Sequence, residues 1–168
     1  MADGAAEFTC LRCGKCCREL LAEDKGILRG LTLLPGETRL FPTGNVKPAI
    51  GVGQSPLTGG FKLIACQLEV DECPNLSGGL CSIYTERPAS CRQFPFSLEL
   101  GWGGPVVSLD MNCPAVPALL EGSGRLKLDE LEAAEALYRV KVQVTENPLR
   151  SWFYDLRSGN WVRGDALA

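Results

Sequence analysis

The residues of this chain best suited to chemistry are its nine cysteines, four of which fall within eight positions. Cys10, Cys13, Cys16 and Cys17 follow the spacing C-x-x-C-x-x-C-C. Thiols at this density are typical of sites for a soft metal ion or an iron–sulfur cluster, because both prefer thiolate ligands. We expect this run to open such a site and the more distant cysteines to close it. Those are Cys66, Cys73, Cys81, Cys91 and Cys113.

The spacing of the run fits two kinds of metal centre. Its first three cysteines have the rhythm that bacterial ferredoxins use for three corners of a 4Fe–4S cluster, with a remote cysteine before proline as another ligand. Cys73 and Cys113 each precede a proline. Zinc ribbons also use paired C-x-x-C units, so zinc stays open as the alternative.

Two cysteines need separate treatment. Side chains of neighbouring residues usually diverge, so we expect Cys17 either to serve a second site or to lie buried beside the first. Cys66 lies in an apolar stretch that reads as a strand, where a cysteine behaves as a small hydrophobe. Without Cys66, eight cysteines remain, which is enough for two four-cysteine sites or one multinuclear site.

Composition excludes several other classes of function. The chain has no histidine, which rules out two-cysteine, two-histidine zinc sites, Rieske centres and catalysis by a Ser-His or Cys-His pair. A net charge of −3 argues against binding of nucleic acid. No signal peptide and no apolar run of membrane-spanning length is visible, so we expect a cytoplasmic protein without membrane contact. In that reducing compartment, clustered thiols more often bind metal than form disulfides.

The elements around the cysteines predict a small, loop-rich, metal-stabilised single domain of the α+β class, with short hairpins and a C-terminal helix. Within it, residues 1–120 would form the cysteine module, and residues 121–168 a helix and aromatic tail packed on it. Prolines and glycines predict sparse regular structure over residues 25–60, with a helical turn or two after Pro35. Helices are predicted at 18–23, from Pro88 and at 126–144, and a strand at 61–70. Hairpins are predicted at 94–109 and 152–162, with a helix ending near Leu156 as the alternative to the second.

Basic residues lie close to the thiols along the chain. Arg87 and Arg92 flank Pro88 and Cys91. Guanidinium groups offset the negative charge of thiolate sites and donate hydrogen bonds that tune a cluster. We therefore predict that both arginines support the bound cofactor.

These motifs together resemble one known family. The C-x-x-C-G-x-C-C run, Cys73-Pro-x-Leu, Cys81-Ser-Ile-Tyr, Arg87-Pro, Cys91-Arg and Phe94-Pro-Phe occur in the order typical of the YkgJ-like cysteine-cluster family. That family is described as a zinc- or iron-chelating domain, and a similar module occurs in flagellin lysine methylases. The resemblance covers roughly residues 10–115 and implies eight metal ligands. These are Cys10, Cys13, Cys16, Cys17, Cys73, Cys81, Cys91 and Cys113.

Three functions are compatible with this pattern. The first is an iron–sulfur protein, of 4Fe–4S type, with a structural or electron-transfer role. The second is a zinc protein whose four-cysteine sites hold a protein-interaction domain together. The third is a cluster-bearing accessory subunit of an enzyme. We predict a protein partner in each case. No catalytic constellation and no methyl-donor motif is visible in the sequence.

Overall fold

A computed structural model describes residues 6–122 and 126–167 of the chain. Helices α1 to α3 are Ala89–Gln93, Val116–Leu120 and Leu131–Glu146. Strands β1 to β13 are Ala6–Glu7, Ala22–Asp24, Ile27–Arg29, Thr32–Leu33, Val46–Val52, Lys62–Leu68, Leu76–Ser77, Leu80–Cys81, Phe96–Gly101, Gly104–Leu109, Leu126–Lys127, Ser151–Asp155 and Asn160–Arg163. Short 3-10 helices include Lys15–Cys17 and Pro35–Leu40.

An antiparallel sheet of five strands, in the order β13-β12-β5-β6-β4, is the centre of the fold. One part of its core joins Ile50 of β5 and Ile64 of β6 to Val140 of α3. Another joins the sheet to the cysteine loops, because Leu33 and Leu68 pack with Cys17 and Cys73. The sheet therefore supports the cysteine-rich loops beside β4 and β6. The α+β prediction, with short hairpins and a C-terminal helix, is confirmed.

A buried side-chain amide holds the central strands in register. Gln67 accepts a hydrogen bond from the Gly30 N–H at 2.9 Å and donates to the carbonyls of Pro48 and Tyr154 at 2.8 and 3.0 Å. Pro48 has no N–H to give to the sheet, and the register of β5 against β6 shifts just after it. The amide thus satisfies backbone groups that the irregular strand leaves unpaired.

Two sequence expectations were wrong. The predicted helix at 18–23 does not form: Glu19 has a φ of 55°, and the chain continues into the β2–β3 hairpin. Arg18 instead bridges to Glu72, so contacts with the second cysteine segment outweigh local helix propensity. Residues 25–60 also contain more regular structure than expected, because β5 runs through Pro48.

The other predicted elements are present. The helix expected at 126–144 is α3, which begins only at Leu131 because Leu126–Lys127 forms β11 and pairs with β1. The two predicted hairpins are β9–β10 and β12–β13. A short helix follows Pro88, and one 3-10 helix begins at Pro35. A boundary near residue 120 stays a prediction. In the described part of the chain, no helix combines the length and apolarity that a membrane span requires.

Candidate metal centre

Three separate segments of the chain bring eight cysteines to one cavity of about 130 Å³. The first is the N-terminal run, the second spans β7, β8 and α1, and the third is the turn before α2. The cysteines lining this thiol cavity are Cys10, Cys13, Cys16, Cys17, Cys73, Cys81, Cys91 and Cys113. Cys66 is not among the lining residues and lies buried in β6.

The N-terminal run reaches the cavity through a tight turn. The Arg12 N–H donates to Cys10 Sγ at 3.3 Å, and Gly14 adopts a left-handed φ of 71°. A Cβ at Gly14 would lie 3.0 Å from the Gly79 carbonyl oxygen, so glycine allows both the backbone conformation and the close approach. The following 3-10 helix then buries Cys17.

Backbone N–H groups also lie near the thiols of both Cys-Pro elements. The N–H groups of Asn75 and Leu76 act to lower the pKa of Cys73, and those of Ala115 and Val116 act in the same direction on the pKa of Cys113. Leu76 and Val116 donate to the carbonyls of Cys73 and Cys113 at 3.0 and 3.1 Å, which holds both turns in place. N–H donors favour thiolate over thiol, and hydrogen bonds to sulfur tune metal–thiolate centres.

Three thiols form a compact group at the buried side of the cavity. Cys17 is hydrogen-bonded to the thiols of Cys16 and Cys73, so the neighbouring side chains of Cys16 and Cys17 do not diverge. The bond with Cys17 lowers the pKa of Cys16 to about 6, and Arg87 acts in the same direction against burial. Cys17 likewise lowers the pKa of Cys73 to about 7, while its own pKa is raised by both contacts.

The remaining buried thiols hold their protons more tightly. Burial, and then the charges of Cys16 and Cys73, raise the pKa of Cys91 to about 12. Burial also raises the pKa of Cys113, although the N–H groups of its turn oppose this. The cavity thus combines thiols that ionise near neutrality with thiols that ionise only when a cation replaces the proton.

The two predicted arginines have different positions. Arg87 lines the thiol cavity, where its guanidinium stacks 4.0 Å from the centre of the Tyr84 ring and its Nε donates to the Tyr84 carbonyl at 2.9 Å. Arg92 is not among the residues lining that cavity, and its Nη1 lies 3.4 Å from Glu130 Oε2. Arg87 therefore supplies positive charge to the thiols, while Arg92 joins α1 to the start of α3.

The sequence did not point to Tyr84 or to the backbone donors. Tyr84 also contacts Arg12, whose guanidinium lies 4.8 Å from the ring centre, so it links the first and second cysteine segments. The position of Tyr84 in the Cys81-Ser-Ile-Tyr motif was the sequence signal that could have identified this residue.

The donor set of the cavity fits a thiophilic metal or an iron–sulfur cluster. Eight sulfurs, backbone N–H donors near three of them and a nearby guanidinium match the chemistry of such centres. Within residues 6–122 and 126–167, no three ligand-type side chains stand together in the geometry to hold one ion. The eight thiols line one common space.

Comparison with known proteins agrees with this chemistry. Residues 9–115 match the family model CxxCxxCC, described as "Putative zinc- or iron-chelating domain". The match spans all eight cysteines of the cavity and supports metal binding. No curated protein and no solved structure matches the chain.

Proposed function

This chain belongs to the CxxCxxCC family, and on that premise we propose that it is an iron–sulfur protein whose thiol cavity holds a cluster of 4Fe–4S type. The observation that carries the proposal is the convergence of eight thiols, delivered by three chain segments, on one cavity. A zinc ion and a 4Fe–4S cluster each take four cysteine ligands, so eight thiols are enough for either kind of centre. The C-x-x-C-x-x-C rhythm of Cys10, Cys13 and Cys16, together with cysteines before proline at the same cavity, favours the cluster.

The cavity's own residues suggest how the cluster would be supported. The thiols of Cys16 and Cys73 ionise near neutral pH, so they can act as ligands without a strong base. The Arg87 guanidinium offsets negative charge on the sulfurs. The Arg12 N–H donates to Cys10 Sγ, and N–H groups near the thiols of Cys73 and Cys113 favour their thiolate forms. Hydrogen bonds to sulfur are one of the factors that tune the reduction potential of iron–sulfur centres.

The role that follows is structural or electron-transferring. Cys13 is exposed, and Leu11 and Leu80 beside the cavity are 61% and 52% exposed. Exposed apolar side chains at the edge of a cofactor site are a natural contact for a protein partner. We therefore place the predicted partner at this edge, where it would approach the cluster most closely. An accessory subunit of an enzyme would use the same face.

Zinc is the second candidate, and the turn from Cys10 to Gly14 fits it equally well. A C-x-x-C turn with an N–H bond to its first sulfur suits zinc as well as iron. Two four-cysteine zinc sites would also account for eight thiols. They would fasten the first cysteine segment to the second and third.

Anaerobic purification followed by analysis of iron, zinc and acid-labile sulfide separates the two candidates. We expect a coloured protein with stoichiometric iron and sulfide. Cys73→Ser is expected to lose the metal, while Cys66→Ala, at the cysteine outside the cavity, keeps it. A colourless protein with stoichiometric zinc and no labile sulfide would refute the iron–sulfur proposal. Full metal content in Cys73→Ser would refute the site.

A further inference from the structure

A second cavity, much larger than the thiol cavity, lies between α3 and the sheet and encloses about 630 Å³. Pockets for small organic ligands usually measure about 300–1,000 Å³. We call this cavity the α3 cleft. Its walls come from α3, α1, the β2–β3 hairpin and β9, and strands β5 and β12 form its floor. No proposed metal ligand lines it.

Apolar side chains cover the inner part of the α3 cleft. Ile50, Leu137 and Val140 are buried there, and Val144 and Phe153 are partly buried in the same region. Apolar surface that a ligand removes from water contributes favourably to binding. The inner part therefore suits the hydrocarbon portion of a ligand.

A cationic group lies against this apolar surface. Arg29 lines the cleft, and its guanidinium lies 5.3 Å from the centre of the Phe153 ring. Nη1 binds Asp24 Oδ2 at 2.7 Å, which uses one of the five N–H donors of the group. The guanidinium can therefore donate to a second carboxylate while it keeps its position over the Phe153 ring.

The other charges around the cleft do not oppose an anion. Its remaining carboxylates are paired: Glu99 with Lys141 at 2.7 Å, and Asp165 with Arg163 at 2.6 Å. Lys25, which also lines the cleft beside Arg29, adds a further positive charge. With Asp24 paired to Arg29 and the other two carboxylates paired to their own cations, Lys25 leaves an excess of one positive charge beside Arg29.

From this combination we propose that the α3 cleft binds a small amphipathic carboxylic acid. The hydrocarbon portion lies on Ile50, Val140 and Phe153, and the carboxylate binds the Arg29 guanidinium. The proposal needs no metal in the thiol cavity, so it stands or falls separately from the iron–sulfur proposal.

Octanoate is the probe, and octanamide, with the same chain length and no charge, is its matched control. Isothermal titration calorimetry of the purified full-length protein should detect octanoate binding and at least tenfold weaker binding of octanamide. Arg29→Met is expected to weaken octanoate about tenfold and leave octanamide unchanged. Arg150→Met, at an exposed arginine outside the cleft, is the control variant and should bind octanoate like the wild type.

Val140→Trp fills the cleft and should abolish binding of octanoate. If that variant fails to fold, Thr145→Trp, at an exposed position of the lining, takes its place. Metal content is measured in every variant and should not change. Equal affinity for octanoate and octanamide, an equal effect of the two arginine variants, or unchanged binding after the cleft is filled would each overturn the proposal. Absence of saturable octanoate binding would do so too.

Discussion

Removal of the metal should destabilise this chain strongly, because its proposed ligands are far apart in sequence. Cys17 and Cys73 lie side by side in the thiol cavity, yet a loop of about 55 residues separates them. A metal that binds both segments closes this loop in the folded state and is absent from the unfolded chain. Binding free energy at such a site appears as folding free energy.

The size of the effect can be estimated from the closure of that loop. By the chain-entropy relation for cross-links, closure of a loop of about 55 residues contributes about 4 kcal/mol to the free energy of unfolding at 25 °C. For a chain of this size, 1 kcal/mol changes the midpoint of thermal unfolding by about 2–4 °C, so metal removal should lower the midpoint by about 10 °C. This covers the connection between Cys17 and Cys73 alone and is a lower estimate.

The assay compares thermal and urea unfolding of the metal-loaded protein with those of the chelator-treated protein, both under reducing, anaerobic conditions. Cys73→Ser should resemble the chelator-treated protein whether or not metal is supplied. Cys66→Ala is the control variant, since its midpoint should still fall when metal is removed. If the loaded and stripped proteins unfold within about 1 kcal/mol of each other while metal binds stoichiometrically, the metal does not connect these segments.

Three further outcomes are expected. Burial keeps the pKa of Cys91 at about 12, so metal binding should release the proton of this thiol. The apparent metal affinity, measured by competition with a chelator, should therefore rise between pH 7 and 9. The carboxylate of Asp155 accepts hydrogen bonds from the N–H groups of Leu28, Arg157 and Ser158, and these outweigh the effect of burial and lower its pKa. The stabilising effect of the carboxylate is therefore present above pH 4 and is lost as the pH falls further. Asp155→Asn should therefore lower stability at pH 7 and flatten the acid limb of urea midpoints against pH. Gly30→Ala would place a Cβ 1.7 Å from the Leu68 carbonyl oxygen and should cost about 3 kcal/mol in urea unfolding, a result that a wild-type midpoint would contradict.

The elements that could be predicted are those whose local pattern and tertiary contacts agree. α3 has the apolar spacing of a helix and buries Ala133, Leu137 and Val140. The β9–β10 hairpin has apolar runs on either side of a glycine-rich turn. In both cases the sequence needs no distant partner to specify the type of structure.

The elements that could not be predicted depend on distant partners. β5 contains Pro48, which has no N–H to give to the sheet, and the side-chain amide of Gln67 donates to the Pro48 carbonyl where the register shifts. The segment after Cys17 has good helix formers, but its backbone pairs with Asp71 and Glu72 instead. For the site, the family resemblance identified the eight cysteines. The contact between Cys16, Cys17 and Cys73 required the fold.

The exposure of Cys13 has a consequence for handling the protein. Oxidation of a cysteine to sulfenic and then sulfinic acid follows its thiolate character and its exposure, and in a metal-bound centre every cysteine ligand is a thiolate, so exposure distinguishes them. Cys13 is exposed at the cavity edge, whereas Cys17, Cys73 and Cys113 are buried. Oxygen or peroxide should therefore attack the centre from Cys13 inward, and mass spectrometry of air-exposed protein should find the first added oxygen there. The same solvent-facing edge, where we propose that a partner binds, would make the proposed centre sensitive to air.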